Sequence, residues 1–320
     1  MKTYLGIDVG SISTNLVLID GEDNVLFDIY IRTDGNPIRA VKQGLKMLAD
    51  VFPRESEVAG VATTGSARYL TGVITGADLV KNEITTHAKA SSFFVPDVRT
   101  VLEIGGQDSK IIVLENGVAV DFAMNTLCAA GCGAFLDAQA SRLKIPIEEF
   151  GGIALTSKAP TNIAGRCTIF AESDMIHKQQ MGHSIEDIIN GLCYSLVRNY
   201  LSNVAKGKNI QSPVVFQGGV SENVGIRKAF EKELGKEIII PKYNKVMGAF
   251  GAALLIRENP PQKSKFLGFE TADKEIKCGS FQCKGCPNQC DVIEAKIDNE
   301  VVARWGDKCG KWSNLAIDKQ

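Results

Sequence analysis

The stretch Tyr4-Leu5-Gly6-Ile7-Asp8-Val9-Gly10-Ser11-Ile12-Ser13-Thr14, near the start of the chain, decides the fold. An apolar run ends here in a carboxylate, a glycine and a group of hydroxyl side chains, a pattern typical of a strand that leads into a tight turn. Further strands are predicted at 15–20 and 25–31, on either side of the polar turn 21–23. Short apolar runs separated by short polar turns predict an antiparallel meander.

The same pattern occurs a second time in the chain. A strand at 101–104 leads into the turn Gly105-Gly106-Gln107-Asp108, and strands at 110–114 and 118–122 complete the copy. Because the order of strands and turns is repeated, we predict that the chain is internally duplicated.

The segments between and after the meanders predict two α/β domains. Helical periodicity follows each meander, and apolar runs at 58–63 and 213–217 predict strands parallel to the first strand of each copy. The predicted boundaries are 1–94 for the first domain, which a helix at 246–258 completes, and 95–245 for the second. The stop signal Asn259-Pro260-Pro261 precedes a small Cys-rich C-terminal module at 262–320.

The composition excludes several classes of partner. The 320 residues carry 36 basic and 37 acidic side chains, which gives a formal net charge of −1. We therefore expect no binding to nucleic acid or to a membrane. The N-terminus reaches Asp8 before an apolar signal region can form, and no later apolar run approaches the ~20 residues of a transmembrane helix. The expected location is the cytoplasm, where clustered cysteines indicate metal or redox chemistry rather than disulfides.

Three glycine-rich turns follow predicted strands, and each can present backbone N–H groups to phosphate oxygens. The first carries Asp8, which we expect to hold a hydrated Mg²⁺, and the second offers the same chemistry through Asp108. The third, Gln217-Gly218-Gly219-Val220-Ser221-Glu222-Asn223, leaves room for a planar base against bare backbone. The candidate nucleotide-binding residues are Gly10, Ser11, Ser13, Thr14, Gly105, Gly106, Gly218, Gly219, Val220 and Asn223. The candidate catalytic residues are Asp8, Gln107 and Asp108.

The C-terminal cysteines predict a metal site. Cys278, Cys283, Cys286 and Cys290 form the pattern C-x4-C-x2-C-x3-C, and Cys309 follows farther on. Thiols this close together, in a segment too small for a core of its own, favour metal binding over free thiols. The spacing is compatible both with a structural Zn²⁺ and with an additional iron–sulfur cluster.

The order of the turns resembles the superfamily of actin, hexokinase and the heat-shock chaperones, which implies two actin-like ATPase domains. Within it, residues Thr3 to Arg257 resemble the ATP-dependent activators of 2-hydroxyacyl-CoA dehydratases and the ATPase subunits of benzoyl-CoA reductases. The motifs that carry the resemblance are Ile7-Asp8-Val9-Gly10-Ser11, Thr64-Gly65-Ser66-Ala67-Arg68, Asn82-Glu83-Ile84-Thr85, Gly105-Gly106-Gln107-Asp108, Cys128-Ala129-Ala130-Gly131, Cys167-Thr168-Ile169-Phe170-Ala171-Glu172-Ser173 and Gly218-Gly219-Val220.

The resemblance implies an ATPase coupled to electron transfer. It implies ATP or ADP with Mg²⁺, and a homodimer with one [4Fe–4S] cluster that Cys128 and Cys167 of each subunit ligate. The implied electron donor is a ferredoxin or flavodoxin, and the acceptor is an iron–sulfur dehydratase or a reductase, including one with a double-cubane cluster. Both cysteines precede predicted helices, whose positive N-terminal ends would stabilise an anionic cluster.

Two positions depart from the family pattern. Cys132 stands where the family commonly has threonine, so it is an alternative ligand to Cys128. Glu103 replaces an aspartate that commonly precedes the second turn, and we expect this replacement to matter little because Asp108 remains.

Two other functions are compatible with the sequence. One is a small-molecule kinase of the same superfamily, acting on a sugar or acyl acceptor, with Asp108 as the general base. The other is a binding module that nucleotide switches without appreciable turnover. The pair Cys128 and Cys167 favours electron transfer over both.

Overall fold

The computed structural model describes residues 1–125, 131–165 and 167–313. Two compact units divide the chain: Met1–Thr86 with Gly248–Gln320, and His87–Met247. These boundaries differ from the predicted ones, because residues 87–94 group with the second unit and the C-terminal residues group with the first.

A five-stranded sheet forms the centre of the first unit. Its strands are β1 (Lys2–Val9), β2 (Ser13–Asp20), β3 (Val25–Arg32), β4 (Glu57–Thr64) and β5 (Leu79–Val80), in the order β3-β2-β1-β4-β5. The helices of this part of the chain are α1 (Pro37–Val51), α2 (Arg68–Thr75) and α3 (Glu83–Phe94). Helix α1 begins where the Asn36 side chain accepts the Arg39 N–H and a proline occupies the first turn, a common start signal.

The second unit is also built on a five-stranded sheet. Its strands are β6 (Thr100–Ile104), β7 (Ser109–Glu115), β8 (Val118–Asn125), β9 (Val214–Gln217) and β10 (Ile238–Ile239), in the order β10-β9-β6-β7-β8. Its helices are α4 (Gly133–Leu143), α5 (Ile147–Leu155), α6 (Thr168–Gln180), α7 (Ile185–Asn203) and α8 (Val224–Leu234).

The two sheets have the same topology. In each, the first three strands are antiparallel, the fourth lies parallel to the first, and the fifth lies parallel to the fourth. The two antiparallel meanders and the two parallel strands predicted from the sequence are confirmed at these positions. An α/β fold is therefore observed in both units.

Apolar residues of the helices cover the sheets. In the first unit Leu5, Ile7 and Val9 of β1 are buried against Leu45 and Leu48 of α1 in one cluster. In the second unit the core is centred on α7 and includes ring contacts of Phe230 with Tyr200 and Phe216. Cys193 lies in this second core, and burial raises the pKa of its thiol to about 12, which is typical of a packing cysteine.

The C-terminal residues begin with α9 (Met247–Glu258) and end in a small sheet. Helix α9 packs on β1 so closely that a Cβ on Gly6 would overlap the backbone of Ala249. The small antiparallel sheet consists of β11 (Ile276–Gln282), β12 (Asp291–Ile297) and β13 (Glu300–Trp305), in that order.

The segment between α9 and β11 belongs to the core of the first unit. Phe269 contacts Phe52 with ring centroids 5.0 Å apart, and Ala272 is buried in the first-unit cluster. Leu267 N–H donates to the Thr75 carbonyl at 3.0 Å, and Lys265 N–H donates to Asp78 at 2.8 Å. The sequence predicts a separate module from residue 262, whereas packing and hydrogen bonds join the first residues of that segment to the first unit.

None of the helices in residues 1–125, 131–165 and 167–313 has the length and apolar character that crossing a membrane requires.

Candidate functional site

The turn between β1 and β2 is held by backbone and hydroxyl contacts. Gly10 N–H donates to the Ser13 carbonyl at 2.9 Å, which closes a tight hairpin turn. Thr33, just after β3, donates its hydroxyl to the Gly10 carbonyl at 2.9 Å, and its oxygen lies 2.9 Å from Thr14 Oγ1. These contacts hold the Gly10 and Ser13 carbonyls in place, so the conformation of the turn does not depend on a ligand.

Asp8 and Asn15 face each other across β1 and β2 at the end of the sheet. Asn15 is buried, and its Oδ1 atom has no hydrogen-bond partner among the described atoms. Gly65 approaches from the end of β4: a Cβ there would lie 2.5 Å from Asp8 Oδ1. A carboxylate beside an unsatisfied amide oxygen suits a hydrated Mg²⁺, because this ion binds oxygen atoms and keeps several of its waters.

The turn between β6 and β7 has the same backbone geometry. Gly105 N–H donates to the Asp108 carbonyl at 3.0 Å, as Gly10 does to Ser13. The first residues of α4 hold this turn: Gly133 N–H donates to the Gly105 carbonyl at 2.9 Å, and Ala134 N–H donates to the Gly106 carbonyl at 2.8 Å. Helix α4 and the second turn are therefore directly connected.

The charged residues at the second turn differ from those at the first. Glu103 occupies the position of Asp8, and its cross-strand partner is Lys110 where the first sheet has Asn15. Lys110 Nζ lies 3.0 Å from Glu103 Oε2 and 3.1 Å from Asp108 Oδ2. The lysine and glutamate side chains are 3% and 6% exposed, whereas that of Asp108 is 33% exposed.

This arrangement changes the expectation for Glu103. The sequence predicts that its replacement of an aspartate matters little, but the longer glutamate reaches a buried lysine and pairs with it. Asp108 lies at the last position of the turn, where Ser13 lies in the first. Asp8 and Asp108 are thus not equivalent by position, although each lies at a glycine-rich turn that the sequence predicts to bind phosphate.

The third glycine turn follows β9 and begins α8 after a short helical turn, Gly219–Glu222. Gly218 has a φ of +88°, and a Cβ there would overlap the Ile104 carbonyl, so only glycine fits. Val220 is buried in the core. Asn223, predicted to bind nucleotide, caps α8 through Oδ1, which accepts the Gly225 and Ile226 N–H groups. Its Nδ2 is buried without a hydrogen-bond partner among the described atoms and can still donate to a ligand.

Cys167 lies immediately before α6, as predicted, in extended conformation and with an intermediate exposure. The first turn of α6 contains no acidic residue, so no carboxylate of that turn offsets the positive end of the helix beside the cysteine. Cys132 likewise precedes α4 and is 1% exposed. Cys128, predicted as the second cluster ligand, lies outside the described residues.

The four C-terminal cysteines predicted to bind metal do not all lie together in the described residues. Cys278 lies near the start of β11, and Cys283 follows the end of that strand, so ~16 Å of extended chain separates them. Burial raises the pKa of the Cys278 thiol. Hydrogen bonds from the Trp312 indole and the Gly285 N–H lower the pKa of the Cys283 thiol. Within the described residues no group of three or more His, Cys, Asp or Glu is arranged to hold a metal ion.

Sequence reasoning missed several residues of these turns. They are Asn15, Thr33, Lys110 and Asn244, whereas Gly65 belongs to one of the family motifs and Gly133 to the predicted start of a helix. Asn244 accepts the Gly218 N–H through its carbonyl at 2.9 Å and donates its amide to Ser221 Oγ at 2.8 Å. Asn15 and Lys110 are detectable by counting the same number of residues from each turn, because the register of a hairpin follows from its turn.

The comparison with known proteins identifies the family. The profile of the BadF/BadG/BcrA/BcrD ATPase family matches residues 5–255. The chain belongs to this family. This match confirms the resemblance that the sequence motifs indicated. The matched residues end before the C-terminal cysteines.

Relatives and solved structures extend this result. The chain is 34% identical to the 2-hydroxyisocaproyl-CoA dehydratase activator of Clostridioides difficile, over 82% of this chain and 97% of the relative. It is 36% identical to the (R)-2-hydroxyglutaryl-CoA dehydratase activating ATPase of Acidaminococcus fermentans, over 79% and 97%. A solved structure of the first activator, with bound ADPNP, superposes with a TM-score of 0.72 at 33% identity, over 80% of this chain and 94% of that one. The α/β fold is that of the actin-like ATPases.

Proposed function

We propose that the chain uses ATP hydrolysis to deliver single low-potential electrons to an iron–sulfur dehydratase or reductase. The observation that carries the proposal is Cys167 at the N-terminus of α6. A thiolate at the positive end of a helix, in a relative of dehydratase activators, is the expected setting for a ligand of an anionic cluster.

ATP binding would use the glycine turns described above. Backbone N–H groups of the turns after β1 and β6 would donate to phosphate oxygens, as in other anion-binding turns. Asp8 would hold a hydrated Mg²⁺ with Asn15 Oδ1 accepting from one of its waters, because that oxygen is buried and unsatisfied in the described structure. The Gly218 turn would accept the adenosine, and the buried Nδ2 of Asn223 at the end of this turn would donate to it.

Cys128 and Cys167 from two copies of the chain would hold one [4Fe–4S] cluster, which supplies one-electron transfer at low potential. Four ligands from two copies of a pair require a homodimer with a two-fold axis at the shared site. Ile169 and Phe170, next to Cys167, are 72% and 67% exposed. These apolar side chains would pack against the second copy and exclude water from the thiolates.

The second phosphate turn offers a route from ATP to the cysteines. The Gly133 and Ala134 N–H groups bind the carbonyls of Gly105 and Gly106, so a change in the turn moves the start of α4. Cys128 precedes this helix start by only a few residues. On the other side, Ser195 and Asn199 of α7 hold the carbonyls of the segment that leads to Cys167.

The energy requirement explains why ATP is needed. Ferredoxins have potentials of about −400 mV, and reduction of a thioester or an aromatic ring needs an electron several hundred millivolts lower. A gap of ~300 mV for one electron corresponds to about 7 kcal/mol. A ferredoxin or flavodoxin is therefore a suitable donor only if hydrolysis of ATP supplies the difference.

The test is iron content and electron delivery after anaerobic purification. We expect one [4Fe–4S] cluster per dimer, and an electron paramagnetic resonance signal of the reduced protein that changes when ATP is added. Cys167→Ser should abolish the cluster while nucleotide binding persists. The matched control is Cys132→Ser, which should be mild because serine is a favourable residue before a helix. Iron that persists in Cys167→Ser, or a signal unmoved by ATP, would contradict the proposal.

A colourless protein whose ATP turnover rises with a sugar or acyl acceptor would favour a kinase.

A further inference from the structure

The register of the C-terminal sheet brings two cysteines together. In the β11–β12 ladder Gln282 pairs with Asp291, so the next pair is Cys283 with Cys290. The Cys283 N–H donates to the Cys290 carbonyl at 2.8 Å, which continues the ladder by this one pair. Directly opposed residues project to the same face of a sheet with Cβ atoms about 4.5–5.5 Å apart. Both thiols therefore leave one face at the end of the hairpin.

Cys278 is excluded from the same place. It pairs with Ala295, and it is an odd number of residues from Cys283. Because side chains alternate between the faces of a strand, Cys278 projects from the face opposite to Cys283 and Cys290. The first member of the pattern C-x4-C-x2-C-x3-C is thus separated from the others by both distance and direction.

The chain after β13 returns to the face of Cys283 and Cys290. Trp312 packs edge-on against Phe281, with centroids 5.0 Å apart, and its indole Nε1 donates to Cys283 Sγ at 3.3 Å. Asp307 shapes this return segment by accepting the N–H groups of Trp312 at 3.0 Å and Ser313 at 3.1 Å. Cys309 lies between Asp307 and Trp312 and is exposed.

Cys286 lies within the loop that joins Cys283 to Cys290. Gly285 N–H donates to Cys283 Sγ, and Gln289 N–H donates to the Cys286 carbonyl at 3.2 Å. This N–H to sulfur contact lies within the C-x2-C segment formed by Cys283 and Cys286. The loop is therefore folded around the sulfur of its first cysteine.

We propose that Cys283, Cys286, Cys290 and Cys309 bind one Zn²⁺ ion as four thiolates. In tetrahedral zinc sites the Zn–S bonds of about 2.3 Å place the sulfurs ~3.8 Å apart, which a cross-strand pair can reach by side-chain rotation. Among the described residues these thiols are not arranged as a metal-binding group. Metal binding therefore requires the exposed side chains of Cys286 and Cys309 to move toward Cys283 and Cys290. Four thiolates around Zn²⁺ carry two net negative charges, and Lys284, Lys308 and Lys311 adjoin the ligands in sequence.

The Zn²⁺ ion would cross-link the end of the small sheet to the loop at Cys286 and to the return segment at Cys309. The loop and the return segment are mostly exposed, and Phe281 packs there against Trp312 and pairs with the buried Val292. A metal ion supplies the closure that such a small apolar group does not. The site lies outside the residues that the ATPase family profile covers, and the inference is independent of the proposed electron transfer.

The experiment measures metal in the full chain carrying Cys167→Ser, so that the proposed interfacial cluster contributes no iron. We expect about one zinc ion per chain by elemental analysis after dialysis against metal-free buffer, without acid-labile sulfide. Further serine substitutions at Cys283, Cys286, Cys290 or Cys309 should lower zinc retention at least tenfold, because even substitutions around a metal site cost about 10–100-fold in affinity. Cys278→Ser is the matched control and should retain the zinc.

A second readout guards against variants that fail to fold. The metal-free protein is titrated with Co²⁺, whose visible absorption reports tetrahedral thiolate ligation, while circular dichroism reports folding. Loss of the cobalt bands in folded Cys309→Ser, with bands retained in Cys278→Ser, supports the ligand set. The inference is overturned by metal loss in Cys278→Ser with retention in Cys309→Ser. Absence of zinc from the parent chain, or iron with labile sulfide in its place, overturns it equally.

Discussion

Lys110 Nζ lies 3.0 Å from Glu103 Oε2, and both side chains are almost wholly buried. At the same position in the first unit, Asn15 faces Asp8. An ammonium group neutralises the carboxylate of the second unit, whereas an amide carries no charge to neutralise Asp8. Two turns with the same hairpin register thus differ in the residue that faces the carboxylate.

The buried ion pair predicts a stability effect. Lys110→Met should destabilise the protein by about 3–5 kcal/mol, because it leaves the Glu103 carboxylate buried without its partner. Urea unfolding followed by circular dichroism measures this change. The double variant Glu103→Gln with Lys110→Met should recover most of the loss, since it removes both charges. A loss below about 1 kcal/mol in the single variant would show that the pair is not desolvated.

Substitution of Asp8 is expected to change catalysis rather than stability. Asp8→Asn should lower the rate of ATP hydrolysis by at least about a hundredfold, the scale for loss of a key electrostatic group. Steady-state phosphate release at saturating Mg²⁺ measures the change. Asp28→Asn, an equal loss of charge at an exposed position of β3, is the control and should leave the rate unchanged. Equal rates in both variants would remove Asp8 from the site.

The close approach of Gly65 to Asp8 leads to a prediction about activity. Gly65→Ala puts a Cβ 2.5 Å from Asp8 Oδ1 and from the Val9 carbonyl, at a φ of +89°. The variant should lose ATP hydrolysis at least about tenfold, because the carboxylate must move. Gly35→Ala is the matched control: its φ is +69° but no atom lies within 4 Å of the added Cβ. It should cost only about 1 kcal/mol of stability and leave activity unchanged. Similar activity in the two variants would contradict the prediction.

The C-terminal segment predicts where the chain tolerates shortening. A chain that ends at Pro261 loses Phe269 and Ala272 from the core and should be destabilised by at least about 3 kcal/mol. A chain that ends at Glu275 keeps both and should be much less affected. Thermal unfolding of the two shortened chains beside the full chain measures the difference. Equal stability of the two would mean that the segment contributes no core.

Local patterns in the sequence were sufficient for much of the architecture. The meanders follow from apolar runs and polar turns, and the start of α4 at Gly133 and of α6 after Cys167 agrees with the predicted helices. The glycine turns were found because their residue types are required by the backbone they form. The order of the same turns indicated the superfamily, and motifs that include the segments at Cys128 and Cys167 indicated the family.

Long-range pairing decided the rest. The Glu103–Lys110 contact depends on burial of both side chains, which no local pattern reports. The C-terminal cysteines looked like one group because they are close in sequence, but the β11–β12 register sends Cys278 to the other face. The sequence by itself determined which elements form and where the glycine turns lie, because those depend on neighbouring residues. Only the tertiary structure decided which charges are neutralised and which thiols meet, because those depend on strand register and on exclusion of water.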